Sequence, residues 1–200
     1  MNMAAPAFGM WAAMMAAMML PSALPALRVF ARAATAAAPG PIAATAAIAG
    51  GYLAVWLGFS AVAAVAQSTL EAATWLSPAT GRLGTLPSTL VLAAAGLYQW
   101  SPGKRTCLRH CRSPLSFVLT HWRPGLAGAL TFGVRHGLYC LGCCGFLMAL
   151  LFVGGAMSLA WMAAIAALIL AEKVLPYGEA IARAGGAVMI GAAVAVLVLG

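Results

Sequence analysis

The residues best equipped for chemistry lie in the apolar run 135–148, which holds three of the five cysteines and one of the three histidines. Polar groups inside such a run are costly to bury and usually serve a purpose. On a helix turning about 100° per residue, His136, Cys140 and Cys143 share an arc of roughly 60°. Cys144 widens that arc to roughly 100°, and Met148 continues it one turn beyond. Imidazole, thiolate and thioether form a soft ligand set, suited to Cu(I) first and to zinc second. One straight helix does not close such a site, because His136 and Cys143 are separated by about 10 Å of rise. A further ligand must come from another helix, from a second copy of the chain, or through a local break at Gly137, Gly142 or Gly145. The competing interpretation is packing, since a buried cysteine often behaves as a small hydrophobe. The C-x-x-C-C spacing is also less specific than two separated C-x-x-C pairs. Three thiols in five positions, with His136 a turn before them and Arg135 beside it, favour ligation or redox work.

Two further groups could join this chemistry. Met10, Met14 and Met18 recur every four residues, and Met14 and Met18 are candidate thioether ligands. Methionine is also a flexible packing residue, so the stripe is equally a core face. Cys107 and Cys111 are one helical turn apart, with His110 on the side of Cys107. They form a second candidate metal or thiol pair, or else an amphipathic turn whose arginines meet anionic headgroups. Clustered cations are expected to lower the pKa of these thiols and make them reactive, while repelling a cationic metal. Arg135 is expected to face the bundle, to snorkel to the cytoplasmic surface, or to meet an acid, with Glu172 and Glu179 placed so that a pairing is possible. Its expected uses are helix assembly or charge balance for a thiolate site.

Composition says what must position these groups. Of 200 residues, 64% are hydrophobic and 7% charged, and the mean hydropathy is +0.99. That leaves too little polar surface for a soluble domain and points to an all-α, polytopic transmembrane bundle in one domain. The alternation of a membrane β-barrel is absent. About six transmembrane helices are expected, near 4–27, 42–66, 84–100, 125–153, 156–175 and 179–199. The net charge is +8, and five of the eleven Lys and Arg residues lie between Lys104 and Arg123. Because these charges flank apolar segments, they indicate a cytoplasmic loop over 101–124 rather than a nucleic-acid surface. The six-helix count puts both termini outside and the cysteine run near mid-bilayer. The N-terminal residues lack the basic region of a cleaved signal, so the first helix is taken as retained.

Several segments together resemble a bacterial family of predicted metal-binding integral membrane proteins of unassigned function. They are Met18-Met19-Leu20-Pro21, the Cys107–Pro114 segment, His121-Trp122-Arg123-Pro124-Gly125, the Gly137–Cys144 core and Glu172-Lys173-Val174-Leu175-Pro176. The resemblance runs in order from Trp11 to Arg183. It implies a multi-pass protein of the bacterial inner membrane with a metal site on His136, Cys140, Cys143 and Cys144. Family members are often longer at the N-terminus, which leaves room for a preceding helix.

The leading functional expectation is therefore copper or zinc handling. It takes the form of binding, delivery or metalloenzyme assembly, with a metallochaperone or a membrane metalloenzyme as partner. Few polar groups line a path on both sides of the cysteines, so delivery is favoured over pumping, and no G-x-x-x-x-G-K-[ST] loop couples ATP. A membrane thiol–disulfide oxidoreductase built on Cys140 and Cys143 is the first alternative. A non-catalytic accessory subunit of a larger membrane complex is the second. No serine triad or carboxylate pair argues for another enzyme class. The oligomeric state is left open by the sequence.

Overall fold

In the computed structural model, residues 4–34, 40–113, 123 and 125–199 are described. His121 and Trp122, part of one of the segments that carry the resemblance, lie outside the described residues. The described chain is all-helical: α1 Ala4–Ala34, α2 Pro41–Ala72, α3 Thr85–Tyr98, α4 Pro102–Arg112, α5 Leu126–Ala149, α6 Leu151–Gly154, α7 Leu159–Val174 and α8 Gly178–Leu199. The six expected helices are present, with shifted ends, together with α4 inside the basic loop. Among the described residues, four segments are long and apolar enough to cross a membrane: Pro6–Phe30, Ile42–Ala72, Leu126–Gly154 and Gly178–Leu199. Helices α3 and α7 are shorter, at 14 and 16 residues.

Local chemistry sets several boundaries. Helix α1 continues through Pro21 and Pro25, well past its expected end. Helix α2 begins with Pro41 in its first turn, where the missing N–H costs nothing, and runs six residues beyond the expected stop. Ser101 caps α4 by accepting from the Lys104 amide at 3.1 Å, and Ser158 caps α7 by accepting from the Trp161 amide at 3.4 Å. The expected single helix over 125–153 is interrupted at Leu150. The chain then turns at Gly155, whose φ of 94° is readily reached only without a Cβ.

Packing proceeds from α1 to α2 to α5, from α3 to α8, and from α4 to α5. Helix α5 meets α2 backbone to backbone. A Cβ on Gly133 would run into the Ile48 carbonyl, and one on Gly51 into the Leu130 carbonyl. Small residues permit this approach and the dispersion contacts that hold helices together in lipid. Gly50 and Gly58, on the same helix as Gly51, face open space.

The two ends of the bundle differ. At one end, the connections after α2 and α6 meet, with the Leu83 amide donating to the Phe152 carbonyl at 2.9 Å. At the other end lie α4 and the start of α8. There Lys104 and Glu172, both about 1% exposed, pair at 2.6 Å, and Gln99 Nε2 donates to the same carboxylate at 2.9 Å. Glu172 thus ties the end of α3, the start of α4 and the end of α7 into one joint.

Candidate metal centre

The floor of the centre is one face of α5. Cys140, Cys143 and Cys144 are buried, and their sulfurs all lie within 4.8 Å of one another. Helix spacing produces this grouping, since residues three and four apart stand on one face. The Cys143 and Cys144 thiols donate to the Cys140 carbonyl at 3.2 and 2.9 Å, and Cys140 Sγ is 4.0 Å from Cys144 Sγ. These contacts orient the three sulfurs on the same side of the helix.

Other helices complete the shell. Met19 Sδ of α1 stands 3.9 Å from Cys144 Sγ. Cys111 Sγ of α4 stands 3.8 Å from Cys143 Sγ. Soft donors from α1 and α4 therefore stand beside the three α5 thiols, one against Cys144 and one against Cys143. Met15 and Met19 both face inward, and of the two Met19 reaches the thiols. Met14 lies in the core and Met18 is half-buried; both border a groove on the other side of the helix.

Cys140 is surrounded by polar groups as well as sulfur. Lys173 Nζ, from the last turn of α7, is 3.0 Å from Cys140 Sγ and 3.0 Å from Ser22 Oγ. Ser22 in turn donates to the Met19 carbonyl at 2.9 Å. The Tyr52 hydroxyl is 3.1 Å from Cys140 Sγ and 3.2 Å from the Met19 carbonyl. An ammonium and a phenol thus converge on one sulfur, an arrangement that stabilises negative charge there. The signals for these residues were slight. Tyr52 shares its apolar run with the hydroxyls of Thr45 and Ser60, and Lys173 is one basic residue among several near helix ends.

His136 is buried one turn before Cys140, outside the three-thiol group. Its ring packs edge-on to Phe30 at 5.5 Å and against Tyr52 at 5.7 Å. On α4, His110 stacks flat on Tyr139 at 4.2 Å, and its Nδ1 is 2.8 Å from the Thr106 carbonyl. Cys107 packs over Gly142, so the two α4 cysteines both face α5.

Two electrostatic expectations are corrected. Burial pushes the Cys107 thiol up, and the Lys104 charge does not offset it. Cys111 is pushed well above the usual thiol range, first by its hydrogen bond with Cys140, then by the one with Cys143 and by burial. The arginines of α4 point away from these thiols: Arg109 binds Glu179 at 2.8 Å and Arg105 approaches it at 3.6 Å. The anticipated pairing of Arg135 with Glu172 or Glu179 is also absent, because Lys104, Arg105 and Arg109 take those acids. Arg135 is exposed and borders a cavity shared with Cys107, Leu138 and Tyr139. The cation beside the thiols is Lys173.

Residues 8–196 match the family model described as PpoB2, copper chaperone. The chain belongs to that copper chaperone family. Neither the curated proteins nor the solved structures contain a significant match. The family description and the three-thiol group together support copper handling, in line with the metal-binding resemblance read from the sequence. Among the described residues, this copper chaperone family member gathers its soft donors where α1, α4 and α5 meet.

Proposed function

We propose that the chain is an integral membrane copper chaperone that holds Cu(I) on Cys140, Cys143 and Cys144 and delivers it to a copper metalloenzyme. The observation that carries this reading is the buried group of three thiol sulfurs within 4.8 Å, with Met19 Sδ next to it. Thiolate and thioether donors select Cu(I) over hard divalent ions. Cys111 is a further ligand from α4, and His136 supports the site by packing against Tyr52. Two or three thiolates around a monovalent ion leave net negative charge, and the Lys173 ammonium offsets it at 3.0 Å.

The four long apolar segments support insertion in the bilayer, with α3 and α7 held within the bundle. The concentration of Lys and Arg on α4 and on the ends of α7 and α8 supports a cytoplasmic location for that face in a bacterial inner membrane. The copper centre then sits at the level of α4, close to the cytoplasmic surface.

The deciding experiment is elemental analysis of protein purified anaerobically in detergent, alongside a variant carrying Cys140→Ser, Cys143→Ser and Cys144→Ser. Near-stoichiometric copper with sulfur-only coordination by X-ray absorption, lost in the variant, supports the reading. No copper in the parent after Cu(I) loading overturns it. A second reading, thiol–disulfide exchange, draws on the 3.8 Å approach of Cys111 and Cys143 across two helices. A Cys111–Cys143 disulfide that turns over substrate thiols without bound copper would favour that alternative.

A further inference from the structure

A groove of about 650 Å³ runs along the outside of the bundle between α1 and α7. Five of the chain's eleven methionines border it: Met10, Met14 and Met18 from α1, and Met157 and Met162 from the α6–α7 connection and α7. Ser22 borders its far end, and the rest of the lining is alanine, leucine and proline. One of these thioethers belongs to the core, three are packed at its edge, and one is open to the outside. Met157 is 69% exposed, Met10, Met18 and Met162 are half-buried, and Met14 alone is buried. Among the described lining residues none carries a charge.

The groove has a direction. From Met10 to Ser22 the helix rises about 18 Å. Its outer mouth is at Met157, beside the Gly155 turn, where a Cβ would meet the Thr80 carbonyl at 2.8 Å. This end is opposite α4. Its inner end is at Ser22, whose hydroxyl is bound by the same Lys173 ammonium that contacts Cys140. Met18 faces the groove while Met19, the next residue, faces Cys144. Helix α1 therefore presents thioethers on both sides of the wall between groove and thiols.

We propose that this groove is a second, weaker Cu(I) site that receives the ion at the Met157 mouth and passes it to the thiols. The inference builds on the chaperone reading above. Neutral thioethers bind soft monovalent ions and discriminate against zinc and Cu(II), which prefer nitrogen, oxygen or anionic donors. Copper moves as Cu(I) throughout. At the inner end, a thioether leaves the ion as a cysteine sulfur joins it, and each thiol that becomes a ligand releases its proton to solvent. No electron is transferred.

The test uses the full chain in detergent. The first arm titrates Ag(I), as a redox-inert probe for Cu(I), into the variant carrying Cys140→Ser, Cys143→Ser, Cys144→Ser, Cys107→Ser and Cys111→Ser. Residual Ag(I) binding is expected, and it should disappear when Met10, Met14, Met18, Met157 and Met162 are also changed to Leu, a nearly volume-conserving replacement. The second arm keeps the cysteines and measures anaerobic Cu(I) loading, which should slow on the order of tenfold in the five-leucine variant. Circular dichroism and a monodisperse elution profile certify the fold of each variant. Absent Ag(I) binding in the cysteine-free chain, binding that survives the leucines, or an unchanged loading rate each overturns the proposal and leaves a groove for lipid chains. A parent that never fills its thiols overturns the chaperone reading instead, while the first arm still decides whether the groove binds metal.

Discussion

The Lys173 ammonium lies 3.0 Å from the Cys140 sulfur, although the two residues are on different helices and 33 positions apart. Its neighbour Glu172 faces the other way and binds Lys104 of α4. The last turn of α7 therefore joins the thiol centre to the basic helix. Replacing Lys173 with Met keeps the bulk and removes the charge. Cu(I) affinity should fall by about 10–100-fold, as for other residues that support metal ligands. Lys173→Arg should retain most of it. Competition against a chromophoric Cu(I) chelator reads both values.

The Lys104–Glu172 pair should contribute to stability in an asymmetric way. Glu172→Gln leaves a buried ammonium without its counter-charge, which costs about 3–5 kcal/mol. A double change, Lys104→Met with Glu172→Gln, should recover much of that loss. Thermal unfolding of the three proteins in one detergent provides the comparison. Equal melting temperatures for the single and double variants would refute the proposed origin of the effect.

Gly133 and Gly58 should respond oppositely to alanine. At Gly133 the new methyl would collide with the Ile48 carbonyl, forcing α5 away from α2 at a cost of at least about 1–3 kcal/mol. Since α5 carries the thiols and α2 carries Tyr52, copper retention should fall with it. At Gly58 nothing lies within 4 Å, and alanine should be neutral or stabilising by up to about 1 kcal/mol. Melting temperature and copper content, measured together, check the pair.

Cys111 should be slow to alkylate at neutral pH. Its raised pKa keeps it as the thiol there, and the reactive thiolate grows in only as the pH rises beyond the usual thiol range. Iodoacetamide labelling followed by peptide mass spectrometry should therefore show a rate that is still climbing above pH 9. A plateau at or below pH 8 would contradict the packing of Cys111 against Cys140 and Cys143.

Bound copper should protect the same thiol from oxidation. The Cys111 and Cys143 sulfurs are 3.8 Å apart, so a mild oxidant such as diamide should link them in the copper-free protein. Prior Cu(I) loading should suppress that link. Cys107, which packs over Gly142 instead, should remain outside the disulfide.

Hydropathy and spacing made much of this protein legible before any coordinates. Twenty-residue apolar runs have few stable forms other than helices, so the all-helical fold follows from composition. Cysteines three and four apart must share a helix face, so the grouping of Cys140, Cys143 and Cys144 followed from spacing alone. Helix ends were less legible. Pro21 and Pro25 do not stop α1, because neighbouring helices hold the chain in place beyond them.

The sequence by itself thus determined that the chain is a helical bundle with three thiols on one stripe. Only the tertiary structure decided what stands opposite that stripe. Met19 rather than Met14 or Met18 faces Cys144, Cys111 reaches Cys143 from α4, and Lys173 rather than Arg135 supplies the positive charge. The physical reason is that periodicity fixes which residues of one helix share a face, whereas the rotation and depth of a neighbouring helix depend on contacts between helices. Here those contacts are the close approach of Gly133 to Ile48 and the Lys104–Glu172 joint, and no spacing along the chain encodes them.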